Sequence, residues 1–271
     1  MASFIDVRQL PDHHVRLSGM SRAKNELAIG IVSAKYVAAI LTRRTTQRTA
    51  SIVRSEYGRT DSTHDWNLLS QPAVVRSNGQ LILVNQFAVR RQYIRILHDA
   101  ILSVGASSIL EVGCGDGVNI GLLSVLYPDT AARLQLCGFD LVEERVRRAT
   151  SLLSHLNLRN ATVWRGDATE PYSVGTRLDL VYSVHAIEQL HKSWASAIEQ
   201  MGRSGRHLLL IEPFYERKSV AGKLHTLVHG YFQGKIHNLT KSGFSVVNEY
   251  SIELQDPFNR STALLLSAPK S

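Results

Sequence analysis

The stretch Ser108-Ile-Leu-Glu-Val-Gly-Cys-Gly-Asp-Gly-Val-Asn-Ile120 decides the fold. It joins an apolar run, typical of a buried strand, to a glycine-rich turn that opens a helix. Gly113, Gly115 and Gly117 are spaced G-x-G-x-G, whereas the dinucleotide fingerprint is G-x-G-x-x-G and would place its third glycine at Val118. Glycine in such a turn lets the backbone approach a ligand closely and adopt positive φ. The stretch therefore predicts a ligand-binding turn at the end of a strand.

Strands alternate with helices from this stretch onward. Apolar runs predict strands over residues 109–112, 134–139, 162–164, 178–183 and 207–211, separated by helices that end near residues 126, 156 and 201. Repeated β-α-β units imply a parallel sheet with helices on both faces. The runs 244–252 and 262–268 leave no room for a helix between them, so they should pair antiparallel. The predicted fold class is α/β: a doubly wound, mostly parallel seven-stranded sheet with an antiparallel final strand.

The residues before this alternation carry other patterns. Residues 12–54 have a long Ala, Ile and Val face that predicts helix, and residues 55–71 are polar, which is typical of a linker or mobile loop. An Asn-Gly pair between the apolar runs 73–76 and 81–84 predicts a small β-hairpin. A helix over residues 85–102 follows.

These patterns divide the chain into two parts. Residues 1–85 form a helical N-terminal extension with a linker and a hairpin, which we expect to cover a substrate or to form an oligomer contact. A homodimer is one such arrangement. Residues 86–271 form the ligand-binding domain.

The composition narrows the class of protein. Of 271 residues, 44% are hydrophobic and 20% are charged, so long disorder and fibrous repeats are excluded. The only cysteines, Cys114 and Cys137, are too few for a disulfide framework or a multi-cysteine zinc site. We therefore expect a cytoplasmic protein, and the first residues do not have the pattern of a secretory signal. The net charge of +8 favours acidic partners.

The longest apolar stretch, residues 26–41, is too short for a membrane span. It has about 16 residues and contains Lys35, whereas a span needs about 20. No membrane span is therefore expected. Because Arg43, Arg44 and Arg48 follow closely, two interpretations stay open: a helix packed on the protein, which we favour, and a helix in contact with an anionic membrane surface.

An acid before the glycine turn completes a family motif. Glu111-Val-Gly-Cys-Gly-Asp-Gly117 resembles motif I of the class I methyltransferases that use S-adenosylmethionine (SAM). The resemblance implies a Rossmann-like fold, SAM as cofactor and S-adenosylhomocysteine as product. It also implies that the loop at Gly113, Cys114, Gly115 and Gly117 lies beneath the ribose and methionine parts of SAM, and that Glu111 helps to organise the amino group. A glycine turn in another α/β protein is the alternative.

Two further acids follow in the order that this family has. Asp140 ends the second strand and is placed to accept hydrogen bonds from both ribose hydroxyls, with Leu141 beside it. In Trp164-Arg-Gly-Asp-Ala168, the resemblance implies that Asp167 meets the adenine amino group and that Ala168 offers its backbone N–H. A helix N-cap is the alternative role of Asp167.

The fourth motif is the sequence 179–190, which resembles the family's fourth strand and its ending, His-x-Leu-Glu-His. This chain has Gln189 in place of the second histidine. Ligands in open α/β sheets lie at the carboxyl ends of the strands, so Ser183, His185 and Glu188 should border the cofactor and acceptor pocket.

The candidate catalytic residues are His185, Glu212 and Glu188. A near-neutral pKa suits His185 for removing a proton from a hydroxyl, and Glu212, at the end of the fifth strand, is the second candidate. A hydrogen-bonded histidine that only shapes the pocket is the alternative. His225 and His229 at i and i+4 could bind a metal with His237, but we favour surface or substrate-lining histidines and expect no metal.

Motifs that the sequence lacks reduce the range of possible methyl acceptors. Tyr182-Ser-Val-His185 stands where base-amine methyltransferases have Asp/Asn-Pro-Pro-Tyr, and neither cysteine is placed for cytosine C5 chemistry. We therefore expect methyl transfer to a hydroxyl, or an amine, of a small molecule such as a sugar or specialised metabolite. A tRNA or rRNA methyltransferase, which the positive charge suits, is the first alternative. A SAM-binding protein without transferase activity is the second.

Overall fold

The structure is a computed structural model that describes residues 4–10, 15–16, 19–42, 50–57, 64–172, 174–231 and 233–269. The strands in this part of the chain are β1 (Val15–Arg16), β2 (Pro72–Ser77), β3 (Gln80–Asn85), β4 (Ser108–Val112), β5 (Gln135–Asp140), β6 (Ala161–Arg165), β7 (Leu178–Val184), β8 (Gly205–Glu212), β9 (Ser245–Tyr250) and β10 (Thr262–Ser267). The helices are α1 (Gly19–Leu41), α2 (Ala50–Tyr57), α3 (Gln86–Val104), α4 (Val118–Leu126), α5 (Pro128–Ala132), α6 (Glu143–His155), α7 (Trp194–Ser204), α8 (Val220–His229) and α9 (Ile236–Lys241).

Seven of the strands form one sheet in the order β6-β5-β4-β7-β8-β10-β9. The neighbouring strands β6, β5, β4, β7 and β8 pair in parallel. Strand β10 is antiparallel to both of its neighbours, β8 and β9. Six strands therefore run in one direction and β10 runs in the other. This confirms the predicted doubly wound sheet with its antiparallel final strand. The final strand is antiparallel because the connection between β9 and β10 is too short for a crossover to a parallel strand.

The sheet has a hydrophobic core on each face, because successive side chains of a strand point to opposite sides. In β4, Ile109 packs into the core that contains residues of α3, α4 and α6. Its neighbour Leu110 packs into the core that contains residues of α7. Both residues are fully buried, as expected for a parallel strand with helices on both sides.

The predicted hairpin is confirmed as β2 and β3. Its turn, Asn78-Gly79, has φ values of 48° and 76°, which is the left-handed conformation that an Asn-Gly hairpin turn needs. The helix that follows begins after Asn85, whose side chain accepts a hydrogen bond from the N–H of Ala88 at 2.8 Å. It ends at Gly105, which also has positive φ.

The prediction of helix over residues 12–54 was only partly right. Helices α1 and α2 lie in this range, but Val15 and Arg16 form β1, which pairs antiparallel with β3 and extends the hairpin to three strands. The rest of the range that is not in these elements lies mainly outside the described residues. No helix of the described residues is both long and apolar enough to cross a membrane.

The prediction of a linker or mobile loop over residues 55–71 was wrong for its described part. Helix α2 continues to Tyr57, and residues Asp65–Ser70 form a 3-10 helix. The side chains of Trp66 and Leu69 are buried in the same core as Ile109, and the Trp66 Nε1–H donates to the carbonyl of Ile5 at 2.9 Å. The stretch was predicted to be a loop because most of its residues are polar, although the apolar Trp66 and Leu69 hold it against the core.

Candidate active site

A cavity of about 570 Å³ opens where β4, β5, β6 and β7 end. Its size falls in the range of about 300–1,000 Å³ that is usual for small-molecule and cofactor sites. Most of the predicted cofactor residues lie on its wall: Gly113, Cys114, Gly115, Asp140, Leu141, Asp167 and Ala168. His185 and Glu188 also line it. The structure therefore brings most of the predicted cofactor residues together around one cavity.

The glycine-rich loop is shaped by positions that have no space for a side chain. Gly113 has φ +72°, and a Cβ there would lie 2.3 Å from the Cβ of Ala186. Gly115 has φ +54°, and a Cβ there would lie 2.6 Å from the guanidinium of Arg145. Gly117, which is not on the pocket wall, also has positive φ and packs against Ala149. Glycine is thus required both by the backbone conformation and by close packing.

Asp140, the last residue of β5, connects this strand to the loop by a hydrogen bond. Its Oδ2 accepts a hydrogen bond from the N–H of Gly115 and its Oδ1 accepts one from the N–H of Val142, both at 2.9 Å. Burial raises the pKa of this carboxyl above its ordinary value, although Arg145 and these two N–H groups oppose the shift. The carboxylate is fixed at the pocket wall as a hydrogen-bond acceptor, which suits ribose hydroxyls.

At the other end of the pocket, Asp167 holds its own turn. Its Oδ1 accepts hydrogen bonds from the N–H of Thr169 at 3.0 Å and from the Thr169 hydroxyl at 2.7 Å. Asp167 therefore caps a local turn and not a helix, so the N-cap alternative was wrong, and the residue lines the pocket together with Ala168.

Glu111 lies below the pocket wall, not on it. Its carboxylate is fully buried, and it accepts hydrogen bonds from the Asn119 amide at 2.5 Å and from the Tyr182 hydroxyl at 3.1 Å. Burial raises the pKa of Glu111 to about 7, and the two hydrogen bonds oppose the shift. Asn119 does line the pocket, so it connects the motif I acid to the cavity.

His185 stands at the pocket edge in a strained backbone conformation, with φ +57°. Its Nδ1 lies 3.2 Å from Oε1 of Glu188, and its Nε2 lies 2.8 Å from the hydroxyl of Ser261 and 3.4 Å from that of Tyr93. Burial is the largest single effect and would lower the pKa of His185, but the charge and hydrogen bond of Glu188, together with the charge of Glu212, outweigh it and raise the pKa. The pair has the arrangement of an imidazole that a carboxylate orients.

Two residues from other parts of the chain extend this pair. Nδ2 of Asn259 donates to Oε2 of Glu188 at 2.6 Å, and Nζ of the buried Lys218 donates to Oδ1 of Asn259 at 3.2 Å. Burial lowers the pKa of Lys218 to about 8, against the opposing effect of Glu188. Burial would raise the pKa of Glu188, but His185 and these partners lower it. The carboxylate thus stays charged beside the imidazole.

Glu212 and Ser183 do not reach the pocket wall, contrary to the expectation that they would border or act in it. Glu212 is fully buried, and its carboxylate accepts hydrogen bonds from the Ser183 hydroxyl at 2.5 Å and from three backbone N–H groups, those of Ala186, Ile187 and Glu188, at 3.0 to 3.1 Å. Burial raises the pKa of Glu212 to about 7. Its role in this arrangement is to hold the strained turn that presents His185.

An ionic cluster on the opposite side of the loop was not predicted from the sequence. Asp116 is buried, lies 3.1 Å from Nε of Arg145 and 3.4 Å from Arg148, and accepts the N–H of Asp65 at 2.9 Å. Arg145 also pairs with Asp65 and lies over the ring of Tyr57. Burial opposes the charge of Arg145, but the nearby carboxylates raise its pKa. Asp65, Tyr57, Asp116 and Arg145 all line the cavity, so the N-terminal region forms one wall.

The histidines of α8, which follows β8, belong to an aromatic cluster. Nδ1 of His225 lies 2.9 Å from the hydroxyl of Tyr36, and the rings of His229 and Phe258 lie nearby. Burial lowers the pKa of His225 to about 4. The described residues contain no group of three or more histidine, cysteine, aspartate or glutamate side chains that could hold a metal ion.

Comparisons with solved structures identify the fold. The magnesium protoporphyrin IX methyltransferase ChlM from Synechocystis PCC 6803, with bound S-adenosylhomocysteine, has a TM-score of 0.58 at 18% identity, over 81% of this chain and 99% of that chain. The methyltransferase domain of bacterial CtHen1 has a TM-score of 0.53 at 18% identity, over 67% of this chain and 100% of that chain. The N-methyltransferase NodS from Bradyrhizobium japonicum WM9 has a TM-score of 0.52 at 19% identity, over 67% of this chain and 97% of that chain. These likenesses place the chain in the class I, Rossmann-like methyltransferase fold.

The sequence itself carries a family signature. Residues 109–207 match a family model described as a methyltransferase domain. No curated protein matches the chain. The match covers 99 of the 271 residues and includes the motif I sequence, and the solved structures show the fold, so the chain has the class I, Rossmann-like methyltransferase fold that the motif I resemblance predicted.

Proposed function

We propose that the protein transfers the methyl group of SAM to a hydroxyl group of a small molecule, with His185 as the general base. The main support is the pairing of His185 with Glu188 at the edge of the cofactor pocket, with Nδ1 and Oε1 3.2 Å apart. A methyltransferase needs a base only when the acceptor atom must lose a proton, so this pairing favours a hydroxyl acceptor.

The cofactor residues are proposed from the shape and chemistry of the pocket. Gly113 and Gly115 line the pocket with bare backbone, and the fixed carboxylate of Asp140 suits the ribose hydroxyls. Asp167 and Ala168 lie where the adenine amino group and ring would be bound. Glu111 acts on the methionine end through Asn119. Bound SAM supplies a methyl group already activated on a sulfonium, so the protein mainly aligns the reactants.

The base works through both nitrogens of the imidazole. In the proposed neutral state, Nδ1–H donates a hydrogen bond to Glu188, which leaves Nε2 as an acceptor that faces the hydroxyl of Ser261. In the proposed reaction the acceptor hydroxyl replaces Ser261, Nε2 takes its proton, and the charge of Glu188 stabilises the imidazolium that forms. The histidine must first be neutral, so its raised pKa moves activity toward alkaline pH.

A small acceptor is favoured because the N-terminal region forms one wall of the pocket. Tyr57 and Asp65 of this region line the pocket, together with Arg90 of α3. The anchoring of Trp66 and Leu69 in the core holds this wall in place. An open groove for a folded RNA would need this wall to be absent or displaced.

The test is an acceptor panel scored by S-adenosylhomocysteine release. It contains sugars, phenols, amino alcohols, amines, tRNA and rRNA, and we expect turnover with a hydroxyl compound. His185→Gln should lose about 100-fold or more, the usual contribution of a general base, whereas Ser261→Ala should remain active. Turnover only with RNA would favour the RNA alternative. Cofactor binding without turnover on the whole panel would favour a non-catalytic protein, and equal losses in the two variants would make His185 a structural residue.

A further inference from the structure

Helix α1 carries an exposed apolar stripe. We define the stripe as Met20, Leu27, Ile31, Ala34, Ala38 and Leu41, all of which are exposed. At 3.6 residues per turn these positions fall within one narrow face of the helix. The side chains of Leu27 and Leu41 are 65% and 78% exposed.

The other side of the helix is occupied by the protein itself. Helix α1 packs on α8, and the hydroxyl of Tyr36 lies 2.9 Å from Nδ1 of His225. The helix is thus fixed by its inner face while the stripe points away.

This exposure is concentrated, not scattered. Of the ten large hydrophobic side chains exposed in the described residues, five lie on α1. Single exposed apolar residues are ordinary on a protein surface, but a continuous apolar face marks a site of contact with a partner or a membrane. The stripe therefore needs a specific occupant.

The charges beside the stripe are positive. Lys24 and Lys35 are exposed and lie along one border of the stripe, one turn from Met20 and from Ile31 respectively, and Arg22 is exposed near the start of the helix. The acidic residue of α1, Glu26, is paired with Arg76 at 3.1 Å. The exposed ionic groups of the helix thus favour a negatively charged partner.

We propose that α1 docks on the surface of an anionic phospholipid bilayer, with the stripe in the interfacial region and Lys24 and Lys35 among the headgroups. An apolar face bordered by lysines is the pattern of helices that lie in the membrane plane. The helix lies on the bilayer and does not cross it, because its inner face packs on α8.

Charge disfavours a second copy of the chain as the occupant. Two antiparallel copies of α1 that share the stripe bring Lys24 of one copy toward Lys35 of the other, since both lysines lie on the same border. Like charges that face each other in an interface are unfavourable. The same two lysines are favourable against anionic headgroups.

The test is co-sedimentation of the full chain with vesicles. One set is phosphatidylcholine alone, and the other contains equal parts of phosphatidylcholine and phosphatidylserine. The variants are Leu27→Gln/Ile31→Gln in the stripe, Lys24→Glu/Lys35→Glu on its border, and Val246→Gln/Val247→Gln on β9 as an exposed apolar control. Thermal unfolding confirms that each variant is folded.

We expect the wild type to sediment with the phosphatidylserine vesicles and much less with phosphatidylcholine, and added salt should reduce the binding. Both α1 variants should lose at least ten-fold in binding and the β9 control should not. Absence of wild-type binding, or binding that survives both α1 variants, would overturn the proposal. A dimer in light scattering that Leu27→Gln/Ile31→Gln dissociates would assign the stripe to a second copy instead.

Discussion

The carboxylate of Asp116 accepts a hydrogen bond from the backbone N–H of Asp65 at 2.9 Å, although 51 residues separate the two. Asp116 stands inside the glycine-rich loop, and Asp65 begins the 3-10 helix that carries the buried Trp66. The N-terminal region is thereby tied directly to the cofactor loop. Arg145, which pairs with both aspartates, completes the connection.

Asp116→Ala should therefore destabilise the protein strongly. The substitution removes the carboxylate that lies against Arg145 and Arg148, and breaking a buried pair from one side costs about 3–5 kcal/mol. The control is Glu199→Ala, which removes an exposed pair with Arg203 and should cost less than about 1 kcal/mol. Urea unfolding measures both. Equal effects of the two substitutions would mean that the cluster does not anchor the fold.

Gly113→Ala should abolish cofactor binding in whatever protein still folds. A Cβ at this position combines positive φ with a 2.3 Å contact to Ala186. Gly105→Ala is a matched control, because Gly105 also has positive φ but nothing lies within 4 Å of its Cβ position. It should cost only about 1–2 kcal/mol of backbone strain and leave SAM affinity unchanged. A normal SAM affinity in Gly113→Ala would show that the loop tolerates a side chain.

The buried Glu111 should make stability depend on pH. Its pKa is raised to about 7 from the ordinary 4.5, so the folded state binds this proton more tightly than the unfolded state. The protonated Glu111 therefore contributes up to about 3 kcal/mol to the free energy of unfolding. This contribution is fully present below about pH 4.5 and is lost as the pH rises to about 7.

The comparison of wild type with Glu111→Gln isolates this contribution. The free energy of unfolding is measured in urea between pH 4.5 and 7.5 without cofactor. The difference between the two proteins should change with pH in the stated direction, while the raised pKa of Glu212 affects both proteins alike. A difference that is constant with pH would mean that Glu111 titrates normally.

Much of the fold follows from local patterns. The strand and glycine turn at Ser108–Gly117, the Asn78-Gly79 hairpin and the alternation of strands and helices all depend on residues close together in the chain. The acids Asp140 and Asp167 line one cavity because the parallel strands that they follow end at one edge of the sheet.

The errors concern contacts between distant residues. Nothing local to Asp65 indicates that it pairs with Arg145, 80 residues later. Glu212 and Ser183 were expected in the pocket because they end strands, but strand position alone does not decide which way a side chain turns. Residues 55–71 are polar on average, but Trp66 and Leu69 within them are large apolar residues that the structure buries.

Glu188→Gln should lower the pKa of His185. The pKa of the wild-type imidazole is raised above 6.5 mainly by the charge of Glu188, against the effect of burial. Without that charge, burial remains and the pKa should fall below 6.5. NMR titration of the His185 ring signals measures it without any acceptor, and Glu199→Gln serves as the control. An unchanged value would separate Glu188 from the proposed base.

The most direct test of the whole account is calorimetric titration with SAM and with S-adenosylhomocysteine. It compares the wild type with Asp140→Ala and with Asp129→Ala, which removes an exposed carboxylate on α5. We expect micromolar binding by the wild type and by Asp129→Ala, and its loss in Asp140→Ala with the fold retained. A folded wild type that binds neither compound, or an Asp140→Ala variant that binds both normally, would contradict the cofactor site described above.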